Sequence, residues 1–288
     1  MLSRTAELLY WTARNVERAS NNARVLEVKI HEDPSLQTSE NWESYVQIST
    51  SPEEAEALKV NGQFDEEAVY TYLTTSMENT SSIFQCIQIA RENTRRTRDL
   101  LPGDYWRIIN EGYLSIRYSD EGLSQRTNLL GKLRDIRLIG YASQGILESN
   151  LARTEAYDLM AFGTWIERAE HTLRILHTIQ ERKERGALSN DEAYQLIMVL
   201  AGAREACSHQ LLSMSNMDDL LQFLTFGENY PRSVKCCLDR AKAALDQLEH
   251  QKITVFTGRL RGHLRQLETS VQTQENTHFF HQSAIKVM

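Results

Sequence analysis

Proline and glycine are sparse in this chain, 4 and 13 among 288 residues, and the runs between them outlast an ordinary strand of about five or six residues. Residues 2–30 contain neither. Their sequence, LSRTAELLYWTARNVERASNNARVLEVKI, places Leu2, Leu9, Val16, Ala23 and Ile30 at a seven-residue step, with Ala6 and Ala13 in the seam between them. That is an apolar stripe along one face of a helix, and Asp33-Pro34 is where it should stop. The expected fold is therefore all-α, a helical bundle.

The same pattern predicts further helices at about 53–59, 65–76, 79–100, 104–118, 121–148, 152–185, 190–213, 216–226, 232–250 and 252–275, with an unpatterned tail from about 276. Ser51-Pro52-Glu53-Glu54 reads as a capping box, with proline at the first helical position and a glutamate three residues after the cap. Pro102-Gly103 stops the helix before it.

Glu17-Arg18-Ala19 followed by Arg24-Val25-Leu26 recurs as Glu167-Arg168-Ala169 followed by Arg174-Ile175-Leu176, an offset of 150 positions. Ser82-Ile83 with Cys86 recurs as Ser233-Val234 with Cys237 at an offset of 151. Two ordered matches at nearly one offset suggest an internal duplication, residues 1–150 and 151–288, forming one compact pseudo-twofold unit.

Formal charge is -7, so a cationic footprint for nucleic acid is not expected. Mean hydropathy is -0.47 and no apolar run approaches the roughly 20 residues that span a bilayer, so no membrane partner is expected. Cys86, Cys207, Cys236 and Cys237 form no C-x-x-C pair and the first residues do not read as a secretory signal, which favours reduced thiols and a cytoplasmic location.

On a helix, Glu17, Asn21 and Arg24 share one face, which Glu7, Tyr10 and Arg14 continue, and Glu167, His171 and Arg174 form the counterpart set. Two turns separate carboxylate from guanidinium in each, a spacing suited to bridging to another helix or to a ligand. Arg18 and Arg168 should point to neighbouring helices. One reading makes these sets interior ion pairs that fix packing. The other makes them a polar cavity at the pseudo-twofold axis, where arginines hold a carboxylate or phosphate and a glutamate or histidine handles a proton.

The 79–98 stretch aligns Arg91, Arg95 and Arg98 behind Asn79, Ser81 and Ser82, either an ordinary cap or an amino terminus that receives an anion. Cys86 and Cys237 read as small core residues. A di-iron bundle would need two Glu-x-x-His motifs, and only Glu275-Asn276-Thr277-His278 fits, so no metal is expected. Gly131-Lys132 lacks the remainder of a P-loop.

Met1-Leu2-Ser3-Arg4, Leu9-Tyr10-Trp11, Arg14, Glu17-Arg18-Ala19, Asn22 and Arg24 together resemble the opening of the bacterial alpha-E domain family. Ser81-Ser82-Ile83, Cys86 and Ala90-Arg91-Glu92-Asn93 extend the resemblance, as do Gly163, Ile166-Glu167-Arg168-Ala169 and Tyr230-Pro231-Arg232-Ser233-Val234. Thr80 and His171 depart from the family pattern, and residues 34–64 carry few family residues. The resemblance implies a helical protein encoded beside, or fused to, a circularly permuted ATP-grasp ligase. ATP and Mg2+ would be bound by that partner, and none directly by this chain. It implies amide formation on a peptide through an activated carboxylate, with Glu17, Glu167 or His171 taking a proton and Arg14, Asn21, Arg24, Arg174 and Arg91 holding substrate. A non-catalytic scaffold that docks the ligase or its peptide is the alternative.

Overall fold

The computed structural model describes residues 3–31, 42–118, 126–206, 216–251, 258, 261–262 and 264–265. Helix α1 runs Ser3–His31, close to the expected stop. Its seven-residue stripe is buried from Leu9 through Val16 and Ala23 to Ile30. The opposite side is buried as well, with Arg14, Asn21, Val25 and Lys29 all enclosed. A helix covered on both sides is central, and polar groups on it must find partners there.

The following elements are α2 (Glu43–Ser49), α3 (Pro52–Ala57), β1 (Lys59–Val60), β2 (Gln63–Phe64), α4 (Glu66–Thr74), α5 (Ile83–Arg96), α6 (Gly103–Arg117) and α7 (Arg126–Asn150). Then come α8 (Glu155–Glu184), α9 (Asn190–Leu200), α10 (Met217–Phe226) and α11 (Val234–His250). The Ser51 capping box is formed, its hydroxyl accepting from the Glu54 amide at 3.2 Å and the Glu54 carboxylate from the Ser51 amide at 2.9 Å.

The all-α expectation holds apart from one small hairpin. The helix expected over 53–59 stops at Ala57, and β1 pairs antiparallel with β2, Val60 opposite Gln63. Asn61 and Gly62, with φ of 53° and 77°, turn the chain between them. Two successive left-handed residues match the right-handed twist of the strands, which is why Asn-Gly favours such turns.

The chain divides into two compact units, Met1–Gly163 and Thr164–Met288, with α8 contributing to both. In the first, α1 packs on α5 and α7, and α6 packs on the same two helices, closing a four-helix ring. Close approach is enabled by small residues. A Cβ at Gly163 would lie 2.6 Å from the Tyr10 carbonyl oxygen, and one at Gly140 would lie 2.8 Å from the Ser20 hydroxyl. The core around α1 holds Leu9, Leu26, Ile83, Ile87 and Ile109, with Tyr45 and Tyr105 enclosed.

In the second unit α10 packs on α9 and α11. Its buried residues include Leu173, Leu176 and Ile179 of α8, Ile197 of α9, Leu220 and Leu224 of α10, and Leu245 of α11. Helix α9 ends at Leu200 rather than continuing to 213, because Gly202 takes φ 65° and the Ala203 amide folds back onto the Met198 carbonyl at 2.8 Å. Residues 207–213, most of 252–275 and the tail from 276 lie outside the described residues.

Candidate functional site

Each Glu-Arg helix is docked against the turn that precedes a serine-capped helix. In the first unit the Asn22 amide donates to the Ser81 carbonyl at 2.8 Å. Ser82, fully buried, accepts from the Gln85 amide at 3.2 Å and donates to the Ser76 carbonyl at 2.8 Å. The Ser82 amide closes the turn on the Asn79 carbonyl at 2.9 Å, and Cys86 Sγ lies 3.9 Å from the Thr80 carbonyl.

In the second unit the Thr172 hydroxyl donates to the Arg232 carbonyl at 2.8 Å, and the Arg168 guanidinium lies 3.5 Å from the Pro231 carbonyl. Ser233 accepts from the Cys236 amide at 3.2 Å and donates to the Gly227 carbonyl. Its amide donates to the Tyr230 carbonyl at 2.9 Å, and Cys237 Sγ lies 3.4 Å from the Pro231 carbonyl. Apart from the Arg168 contact, these bonds recur at the offsets of the sequence repeat.

The joint corrects one expectation. Helix α5 starts at Ile83, not at 79, because Ser82 is its cap and Asn79–Ser82 form the preceding turn. A buried cap occupied by its own serine offers no amino terminus to an external anion. Cys86, Cys236 and Cys237 are buried thiols; Cys207 lies outside the described residues.

Glu17 is 3% exposed, and its carboxylate accepts from the Gln144 side chain of α7 at 2.8 Å. Arg24 donates to the Tyr141 hydroxyl at 2.9 Å, and Arg137 donates to the same oxygen at 3.1 Å. Arg137 also forms an ion pair with Glu27. Burial raises the Tyr141 phenol, but the hydrogen bonds and charges of Arg137 and Arg24 outweigh it and leave the pKa below its ordinary value. Asn21, 1% exposed, lies between Glu17 and Arg24 on α1. Arg14 donates to its own Tyr10 at 3.1 Å and stands 5.2 Å over the Trp11 ring.

In the second unit Glu167 and His171 are buried one turn apart on α8. Arg174, half-exposed, pairs with Glu170 at 2.8 Å. Arg168 stands 4.7 Å over the Trp165 ring, facing the turn before α11. Arg91 is apart from these sets, on α5, where it donates to Asn110 of α6 at 2.7 Å and stands 4.6 Å over the Tyr113 ring.

Gln144, Tyr141 and Arg137 were missed as partners of the stripe. Arg137-x3-Tyr141-x2-Gln144 has the four-then-three spacing of Glu17-x3-Asn21-x2-Arg24, and that match was available in the sequence. Among the described residues no group of three or more His, Cys, Asp or Glu is placed to hold a metal ion. Glu275 and His278 lie outside them. No described helix is long and apolar enough to cross a membrane.

No curated protein and no solved structure matches the chain. The Alpha-E family, described as a predicted alpha-helical domain with a conserved ER motif, matches residues 1–287. That match spans both Glu17-Arg18 and Glu167-Arg168, and the chain belongs to the Alpha-E family.

Proposed function

We propose that this Alpha-E chain works beside a circularly permuted ATP-grasp ligase in ATP-dependent amide formation on a peptide, and that its Glu-Arg helices are the frame that positions a carboxylate-bearing substrate. ATP and Mg2+ stay on the ligase in this reading, and the reaction takes place in the cytoplasm. The family resemblance, which implies such a ligase as a partner, supports the chemistry. The engagement of Glu17 by Gln144 and of Arg24 by Tyr141, inside one unit, supports the framing role. A carboxylate already bonded to a neighbouring helix and closed from water is poorly disposed to take a proton from an incoming amine. Arg14, Asn21, Arg24 and Arg174 belong to that frame, and Arg91 is its substrate-facing cation. The equivalent joints in the two units favour a duplicated Glu-Arg module as their origin.

One observation favours a second reading, in which this chain is itself catalytic. Glu167 and His171 are buried one turn apart on one face of α8, which brings a carboxylate and an imidazole, two groups that can move a proton, to the same part of the core, with Glu17 as the counterpart.

Reconstitution of ligase, peptide and this chain, each omitted in turn and read by mass spectrometry, tests the proposal. Product is expected only with all three present, and unchanged product without this chain would refute it. Glu167→Gln and His171→Asn separate the two readings. The frame requires product per folded molecule to be retained, whereas loss of product at an unchanged melting temperature makes these residues catalytic.

A further inference from the structure

Cations and rings alternate along the α5–α6 face of the first unit. Arg98 stands 5.1 Å from the Trp106 ring centroid, and Arg91 5.5 Å from the same ring and 4.6 Å from Tyr113. Arg117 stands 5.9 Å from Tyr113 and 5.8 Å from Tyr118, which is 70% exposed. Both α5 and α6 are antiparallel neighbours of one short turn, so the contacts form a continuous strip rather than scattered pairs.

The charges on this face fall into two kinds. Arg95 and Arg96 both pair with Glu92, at 2.7 and 3.0 Å, and Arg107 pairs with Asp104 at 3.0 Å. Arg91, Arg98 and Arg117 have no carboxylate partner among the described residues; Arg91 is held by the Asn110 amide oxygen and Arg117 by the Tyr113 hydroxyl at 2.9 Å. In a chain of net charge -7, three guanidiniums are thus pre-oriented on rings without a carboxylate partner among the described residues.

We propose that this strip binds an extended acidic peptide segment, an inference that rests on the reading that the protein handles a peptide. From Trp106 to Arg117 the helix advances about 16 Å, the reach of roughly five extended residues. Carboxylates on such a segment meet the three cations, which arginine can bind through two nitrogens at once. A single-stranded nucleic acid fits less well. It needs open ring faces for its bases, whereas Phe84 already stacks on Tyr113 at 5.6 Å and guanidiniums stand over Tyr113 and Trp106.

Fluorescence anisotropy of the full chain with fluorescein-labelled hexaglutamate tests this without any ligase, so its failure is distinct from failure of the reconstituted reaction. Hexaglutamate is expected to bind, salt-sensitively, and better than hexaglutamine or a six-nucleotide oligothymidine. Replacing Arg91, Arg98 and Arg117 together by glutamine should weaken binding about tenfold, since three exposed ion pairs are jointly worth about that factor. Arg95→Gln with Arg96→Gln should change it less than about threefold, because those charges are already matched. Should the triple variant lose helicity, Arg98→Gln alone, at the exposed end of the strip beside Trp106, carries the test with about a twofold loss expected. Absence of hexaglutamate binding, tighter binding of the oligonucleotide, or equal losses in the two arginine sets would overturn the proposal.

Discussion

The α1 joint and the α8 joint make the same connection with different side chains. An asparagine amide reaches the Ser81 carbonyl in the first unit, and a threonine hydroxyl reaches the Arg232 carbonyl in the second. Thr80 stands in one turn and Pro231 in the other, yet each offers its carbonyl to a cysteine. Only the serine cap and the cysteine are the same residue in both. What is preserved is a set of backbone carbonyls that must be satisfied inside a core, and any short donor at the right height on the helix can do it. The acceptor side of such a joint is set by chain path, so its donors are free to differ.

The serine caps should show the largest effect. Ser82→Ala and Ser233→Ala each remove a cap and leave a carbonyl, Ser76 or Gly227, without its donor, for an expected loss of about 2 kcal/mol. Urea denaturation measures the total, and amide exchange at Gln85 and Cys236 locates it. A loss in one unit only would break the equivalence of the joints.

Removing the crossing donors comes next. Asn22→Ala and Thr172→Ala should each cost about 1–2 kcal/mol by stranding a buried carbonyl. A loss below measurement for either would mean that the bond is incidental to docking.

Exchanging the donors should cost less. Asn22→Thr and Thr172→Asn keep a donor but alter its reach, so about 1 kcal/mol or less is expected in melting experiments. If each exchange is as harmful as its alanine variant, side-chain identity governs the joint after all.

The smallest effect separates the helices that follow the two caps. On α5 the hydrogen bonds from Arg95 and Arg96 lower the Glu92 pKa from 4.5 to about 2. A carboxylate depressed on folding adds stability above its unfolded pKa and loses it as pH falls from about 4.5 towards 2. The group is exposed, so the increment is a few tenths of a kcal/mol at most and salt-sensitive. Glu92→Gln should flatten that part of the pH–stability curve; an unaltered curve would remove the ion pairs from the account.

Much of the helical frame was legible because periodicity and caps are local. Leu9, Val16, Ala23 and Ile30 of the predicted stripe are buried, and the Ser51 capping box is made by neighbours in sequence. The β1–β2 hairpin was overlooked although Asn61-Gly62 signals it, since only two residues extend on either side. The start of α5 was misplaced because Asn79, Ser81 and Ser82 read equally as first turn or as preceding turn until the Ser76 carbonyl supplies a reason for Ser82 to cap.

The sequence by itself determined which face of α1 is apolar, where the helices near Ser51 and Pro102 begin, and which residues line up as Glu17, Asn21 and Arg24. Those features follow from spacing along a single chain. Tertiary structure decided what each aligned side chain meets: Gln144 for Glu17, Tyr141 for Arg24, Asn110 and two rings for Arg91. Helical periodicity specifies a direction around an axis, whereas a partner depends on which other helix is packed there and at what height. That choice emerges only when the whole core is assembled.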